Sequence, residues 1–125
     1  MSTRPETHYR LSRMAQADIV QILAWSSEQF GLAASERYRA LIASALRDIA
    51  ERRDGPGNTA RPELGAGVLT WHLRQSRNRS SGGQVRHPRH FVVYRLDAGI
   101  VVVGRVLHDA MELRRHLDTP GTWTT

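Results

Sequence analysis

HFVVYRLDAGIVVVGRVLH, residues 90–108, decides how the chain folds. Two runs rich in β-branched and aromatic residues, His90–Leu96 and Ile100–Leu107, flank Asp97, Ala98 and Gly99, which supply the polar and φ-permissive residues of a tight turn. The stretch therefore predicts a β-hairpin. Its second run is apolar at nearly every position, which suits a strand covered on both faces or central in its sheet. An arginine, Arg105, interrupts that run and requires a partner or an open face.

Working towards the N-terminus, Leu69, Trp71 and Leu73 alternate with Thr70, His72 and Arg74, the pattern of a half-buried strand. Between it and the hairpin, residues 75–89 (QSRNRSSGGQVRHPR) hold Gly82, Gly83 and Pro88 and too few apolar residues to bury, so a mobile basic loop is expected. Further back, Ala15, Ile19, Ile22, Leu23, Ser26 and Phe30 form a helical stripe behind Ser12, a suitable N-cap, and Gly31 ends it. A second stripe, Ala34, Tyr38, Leu41, Ile42, Ala45, Leu46 and Ile49, runs until Gly55 and Pro56. Two helices joined so tightly form an antiparallel hairpin. His8–Ser12 reads as a short strand ahead of them.

After the hairpin of residues 90–108, Asp109 and Glu112 have the spacing of a capping box, with Ala110, Leu113 and Leu117 as the stripe of a short helix. Arg114, Arg115 and His116 then suit the helix C-terminus. Residues 1–7 and 119–125 read as frayed tails. The order predicts one α+β domain over residues 1–125, with two layers: a helical hairpin laid on an antiparallel sheet.

The chemistry is bounded by what is missing. There is no Cys, so disulfides, thiolate nucleophiles and Cys-ligated zinc are excluded, and no apolar run approaches a membrane span. The start, MSTRPETHYR, is polar, and a cytoplasmic protein is expected. No metal and no cofactor is expected: the HPRH spacing of His87 and His90 lies among arginines that repel cations. All 18 basic residues are Arg, and six of them (Arg74, Arg77, Arg79, Arg86, Arg89, Arg95) fall in a stretch without acids. The other 12 balance the 12 acidic residues, so the net charge of +6 is local to that stretch. Such a segment attracts phosphate backbones or an acidic protein.

Metal-free RNA cleavage requires a base, an acid and an Arg to stabilise the phosphorane-like charge. His72, Arg74, His90, Tyr94, Arg95, Arg105 and His108 lie on or beside the predicted sheet and could supply them if it brings several to one surface.

Five segments carry a family resemblance: YRLSRMAQADIVQILAWSSEQFG, YRALIASALRDIA, RPELGAGV, PRHFVVYR and IVVVGRVLHDAMELRRHL. In order and spacing, from Tyr9 to Leu117, they resemble the ParE branch of the ParE/RelE superfamily, the toxins of bacterial type II toxin–antitoxin modules. The resemblance implies a toxin that poisons DNA gyrase, a binding protein rather than an enzyme, held inactive in a hetero-oligomer by its cognate antitoxin. The alternative within the superfamily is a RelE-like, ribosome-dependent mRNA endoribonuclease using His72, Tyr94, Arg95 and His108. Such enzymes commonly place Lys on the sheet, and this chain has none. Arg74, Arg95, Arg105 and His108 are the expected contacts with the target or its nucleic acid. Trp25, Trp71, Arg86 and Arg89 are those expected with the antitoxin. The long segment 75–89 departs from the tight connection of many relatives.

Overall fold

The computed structural model describes residues 9–51, 57–80, 85–111, 113–117 and 121–123. The elements run β1 (Tyr9–Leu11), α1 (Arg13–Phe30), α2 (Leu32–Glu51), β2 (Asn58–Ala60), β3 (Val68–His72), β4 (His90–Asp97), β5 (Ile100–His108) and α3 (Leu113–Leu117). Short 3-10 segments cover Pro62–Leu64 and Leu73–Arg79. The five strands form one sheet in the order β1-β5-β4-β3-β2. All pairings are antiparallel except β1 on β5, which is parallel, a pairing that needs a long connection such as the one from β1 through α1, α2 and β2 to β4. This is the expected α+β architecture, with the N-terminal strand adding a parallel edge.

The start of α1 is set by Ser12. Its Oγ accepts from Ala15 N at 3.0 Å and donates to Gly104 O at 2.7 Å, so one hydroxyl caps the helix and ties it to β5. Gly104 is free to accept because β5 bulges there: Val93 faces Arg105 while Tyr94 faces Val103. No side chain fits at that position, since a Cβ on Gly104 would sit 2.6 Å from the Trp123 ring. At the other end of the hairpin Asp97 pairs with Ile100, leaving a two-residue turn in which Ala98 (φ 52°) and Gly99 (φ 79°) both have positive φ. That is the signature of a type I′ turn.

The helical hairpin packs one face of the sheet. Leu23, Leu41, Ala45 and Ile49 meet Trp71, Val92, Tyr94, Val101, Val103 and Val106 in one core. On the opposite face Val68, Val93 and Leu107 lie under Phe91, Leu64, Leu117 and Trp123.

Several expectations are corrected. β2 was not foreseen, and with it on the edge β3 becomes an inner strand, so Thr70 and His72 are buried rather than solvated. Arg74 lies beyond β3, exposed, in a 3-10 helix. That helix, Leu73–Arg79, replaces the first part of the expected irregular loop. It is anchored by Ser76, which accepts from Trp71 Nε1 at 3.0 Å and donates to Asp48 Oδ2 at 2.5 Å, while Arg79 Nε donates to the same carboxylate oxygen at 2.9 Å. Buried polar partners thus substitute for the apolar residues the segment lacks. In the tail, Thr122 is buried and Trp123 packs on the sheet. Phe30 leaves the α1 stripe and is 68% exposed. Asp109 caps no helix; its carboxylate is held by His72 and Arg89, and α3 starts at Leu113. Glu112 lies outside the described residues, as do 1–7, the ends of the 119–125 tail and residues 81–84.

Candidate functional site

The hairpin of helices and the chain leading into β4 enclose a cavity of about 500 Å³. Its apolar side is formed by Ile22, Trp25 and Phe30 of α1, Ala34 of α2 and Val85. Its polar side is formed by Ser26 of α1, Arg37 and Tyr38 of α2, Arg86, His87 and Arg89, and His90 and His108 at the paired ends of β4 and β5. Trp25 and Phe30 meet edge to face at 5.6 Å between ring centroids. Trp25 is 55% exposed, and Leu32 at the turn of the helical hairpin is 69% exposed. Exposed large apolar side chains clustered beside a cavity mark a binding region.

The polar side is ordered by hydrogen bonds reaching from α2 to the end of β5. Arg89 N donates to Tyr38 Oη at 3.1 Å, and the phenol lies 2.6 Å from His90 Nδ1; since Oη already accepts from Arg89, we assign the phenol proton to this second contact, with Nδ1 accepting. Burial pushes the Tyr38 phenol up to about 12, so it stays protonated. Burial first, and the neighbouring His108 second, push His90 down to about 4, so its ring is neutral. The His90 and His108 rings stand edge to face with centroids 5.3 Å apart. His108 Nδ1 accepts from Ala110 N at 3.0 Å; Asp109 Oδ1, at 3.7 Å, is beyond hydrogen-bond distance.

Beside this row, His72 Nδ1 accepts from Arg74 N at 3.1 Å, so its proton sits on Nε2 and is donated to Asp109 Oδ2 at 2.9 Å. Arg89 Nε donates to the other oxygen at 3.1 Å. Burial alone would raise the Asp109 carboxyl, but the hydrogen bonds from His72 and Arg89 outweigh it and hold the group below its ordinary value. Arg77 Nη1 donates to Arg86 O at 3.0 Å and Arg89 O accepts from Asp109 N at 2.8 Å, so the segment lining the cavity is pinned at both ends.

The site residues expected from sequence are sorted by this geometry. Trp25, Arg86, Arg89 and His108 line the cavity together. Trp71 does not: it is 1% exposed in the core and unavailable to a partner. Arg105 is engaged internally, its guanidinium donating through Nε (2.8 Å) and Nη2 (2.9 Å) to Asp18 and through Nη1 (3.0 Å) to His116 O. Arg95 lies with its guanidinium 4.6 Å from the centre of the Trp123 ring. Arg74 is exposed near the end of β3.

The four groups required for RNA cleavage are not brought together. Tyr94 is 0% exposed in the helix-side core, whereas Arg95, the next residue along the strand, faces the opposite side against Trp123. His72 is buried, with both ring nitrogens engaged. Tyr38, Arg37 and Phe30 were absent from the expected site residues. For Tyr38 the helical stripe gave only a packing role, and no local pattern shows that its hydroxyl reaches β4.

A family profile described as "ParE toxin of type II toxin-antitoxin system, parDE" matches residues 9–113. The chain belongs to the ParE toxin family. The relative Toxin ParE1 of Caulobacter vibrioides is 30% identical over 109 residues, which span 87% of this chain and 96% of that protein. The ParE match covers α1, α2 and all five strands, so the cavity lies wholly within the matched region. In this ParE toxin no helix among the described residues is long and apolar enough to cross a membrane.

Proposed function

We propose that this ParE toxin arrests growth in the cytoplasm by binding and poisoning DNA gyrase, and that a cognate antitoxin neutralises it. The family match is the observation that carries this reading, and the dispersal of His72, Tyr94, Arg95 and His108 favours a binding protein over a ribonuclease. The antitoxin covers the exposed apolar rim of the helical hairpin, Trp25, Phe30 and Leu32, and its acidic groups meet Arg86, while Arg89, paired with Asp109, adds long-range attraction. A partly disordered, acidic partner gains both steering and buried area on such a surface. Arg74 is the exposed cation we assign to the gyrase complex or its DNA.

The test is a supercoiling assay with purified toxin. Loss of supercoiling or accumulation of cleavage complexes, reversed by the antitoxin, is expected. Unchanged gyrase activity together with cleavage of mRNA in translating extracts would refute the proposal.

A further inference from the structure

The polar side of the cavity has a property that antitoxin binding does not require. Of the three imidazoles lining it, His87, His90 and His108, two use Nδ1 as an acceptor, His90 from the Tyr38 hydroxyl and His108 from Ala110 N–H. A neutral imidazole whose Nδ1 accepts must carry its proton on Nε2. Two Nε2–H donors are therefore fixed at the cavity without protonation of either ring, and neither makes a hydrogen bond to the described residues.

The charge around them has one sign. Arg37, Arg86 and Arg89 line the same cavity, and its lining contains no carboxylate. Asp109, just outside, is matched by Arg89 and His72, which leaves Arg37 and Arg86 as cations with no anionic partner among the described residues. Opposite stands the exposed Trp25 ring, set nearly perpendicular to Phe30, an aromatic wall for a flat π-system. Fixed N–H donors, two spare guanidinium groups and an aromatic wall around about 500 Å³ match a phosphate joined to an aromatic base.

We propose that this cavity binds a nucleoside phosphate, with the phosphate on Arg37, Arg86 and the Nε2–H groups of His90 and His108, and the base against Trp25. The ligand is either a free nucleotide or a nucleotide of a single strand; both present the same chemistry. An acidic peptide segment is the competing occupant. It is less favoured because two rigid imidazole donors beside two guanidinium groups suit three clustered phosphate oxygens better than a single carboxylate. The inference does not rest on the gyrase reading and survives if gyrase is not the target.

Calorimetric titration of the purified full chain tests it, using 5′-AMP, adenosine, inorganic phosphate and an eight-nucleotide single-stranded DNA as probes. 5′-AMP is expected to bind at least about tenfold more tightly than adenosine or phosphate alone, since each supplies only half of the contacts. Arg37→Ala, Arg86→Ala and Trp25→Ala, all at exposed positions, should each weaken it by about tenfold. A strand ligand would bind the octanucleotide more tightly than 5′-AMP and lose affinity steeply with salt; a free nucleotide would not. Nitrogen-15 imidazole spectra give a readout independent of affinity: His90 and His108 should carry protons on Nε2, and those signals should move on adding 5′-AMP. No heat with either 5′-AMP or the octanucleotide, binding unaffected by the three substitutions, Nδ1-protonated rings, or a surface that binds only the antitoxin would each overturn the proposal.

Discussion

Removing the Asp18 carboxylate should unfold a large fraction of the protein's stability margin. Asp18 accepts from Arg105 Nε and Nη2 and from Val106 N at 2.9 Å, and both charged side chains are nearly enclosed, at 12% and 11% exposure. Asp18→Ala leaves a buried guanidinium without its counter-charge, which costs about 3–5 kcal/mol. The stranded Val106 N–H adds about 1 kcal/mol. Arg105→Met leaves the carboxylate with one donor and costs about 3 kcal/mol by the same argument. In the double variant both charges are gone, and what remains is the unpaired Val106 N–H and His116 carbonyl, about 2 kcal/mol. The cycle therefore predicts a coupling of several kcal/mol, measurable by urea unfolding followed by circular dichroism. Because the pair is buried, 0.5 M salt should change this coupling little. An Asp18→Ala loss below about 1 kcal/mol, or a double variant as unstable as the sum of the singles, would refute the reasoning.

Four further outcomes follow from the same geometry. Gly104→Ala places a Cβ against the Trp123 ring, so it should cost about 1–3 kcal/mol and shift the Trp123 emission towards that of an exposed indole. Ser76→Ala strips Trp71 Nε1–H of its acceptor and should cost about 2 kcal/mol, with the helices otherwise intact by circular dichroism. Ala98→Asn relieves the positive φ of a residue with a Cβ and should raise stability by about 0.5–1 kcal/mol in the same unfolding assay. His90 is pushed from 6.5 to about 4, so between those pH values the unfolded chain binds a proton that the folded chain refuses. Stability should fall by roughly 3 kcal/mol as pH drops through that window, and His90→Gln should flatten the slope.

The elements that could be read from sequence are those specified locally. Ser12 and Gly31 bound α1, and the Ala98–Gly99 turn sets the β4–β5 register, each through neighbours a few residues away. The misread residues depend on partners far along the chain. His72 looked solvated because nothing in the alternation of residues 69–74 reveals that Asn58–Ala60 adds an outer strand and that Asp109 waits for its ring proton. Asp109 looked like an N-cap because its spacing to Glu112 is right, yet a buried imidazole and a guanidinium offer more than the start of a five-residue helix. Trp71 looked like an anchor for a partner, and it is instead the residue on which Ser76 and the 3-10 helix are built. Arg105 was recognised as needing a partner, but 87 residues separate it from Asp18.

The basic segment changes meaning when its side chains are placed. Charge counting treats six arginines between residues 74 and 95 as one attractive surface, but folding engages most of them. Arg79 binds Asp48, Arg89 binds Asp109, Arg95 lies on Trp123, and Arg77 donates to the backbone of Arg86. Among the described residues Arg74 and Arg86 are left without such a contact, and only Arg86 reaches the cavity, where it joins Arg37 from α2. Long-range steering depends on net charge and survives this sorting; recognition at contact does not, because an arginine already hydrogen-bonded to a carboxylate brings little new attraction. Arg74→Ala and Arg79→Ala should therefore slow association with an acidic partner by similar factors at low salt, whereas dissociation should quicken chiefly on losing Arg86. Stopped-flow association and dissociation rates at two salt concentrations separate these roles. If Arg79→Ala, once matched for stability, speeds dissociation as much as Arg86→Ala, the segment acts as one surface and the assignment of separate roles is wrong.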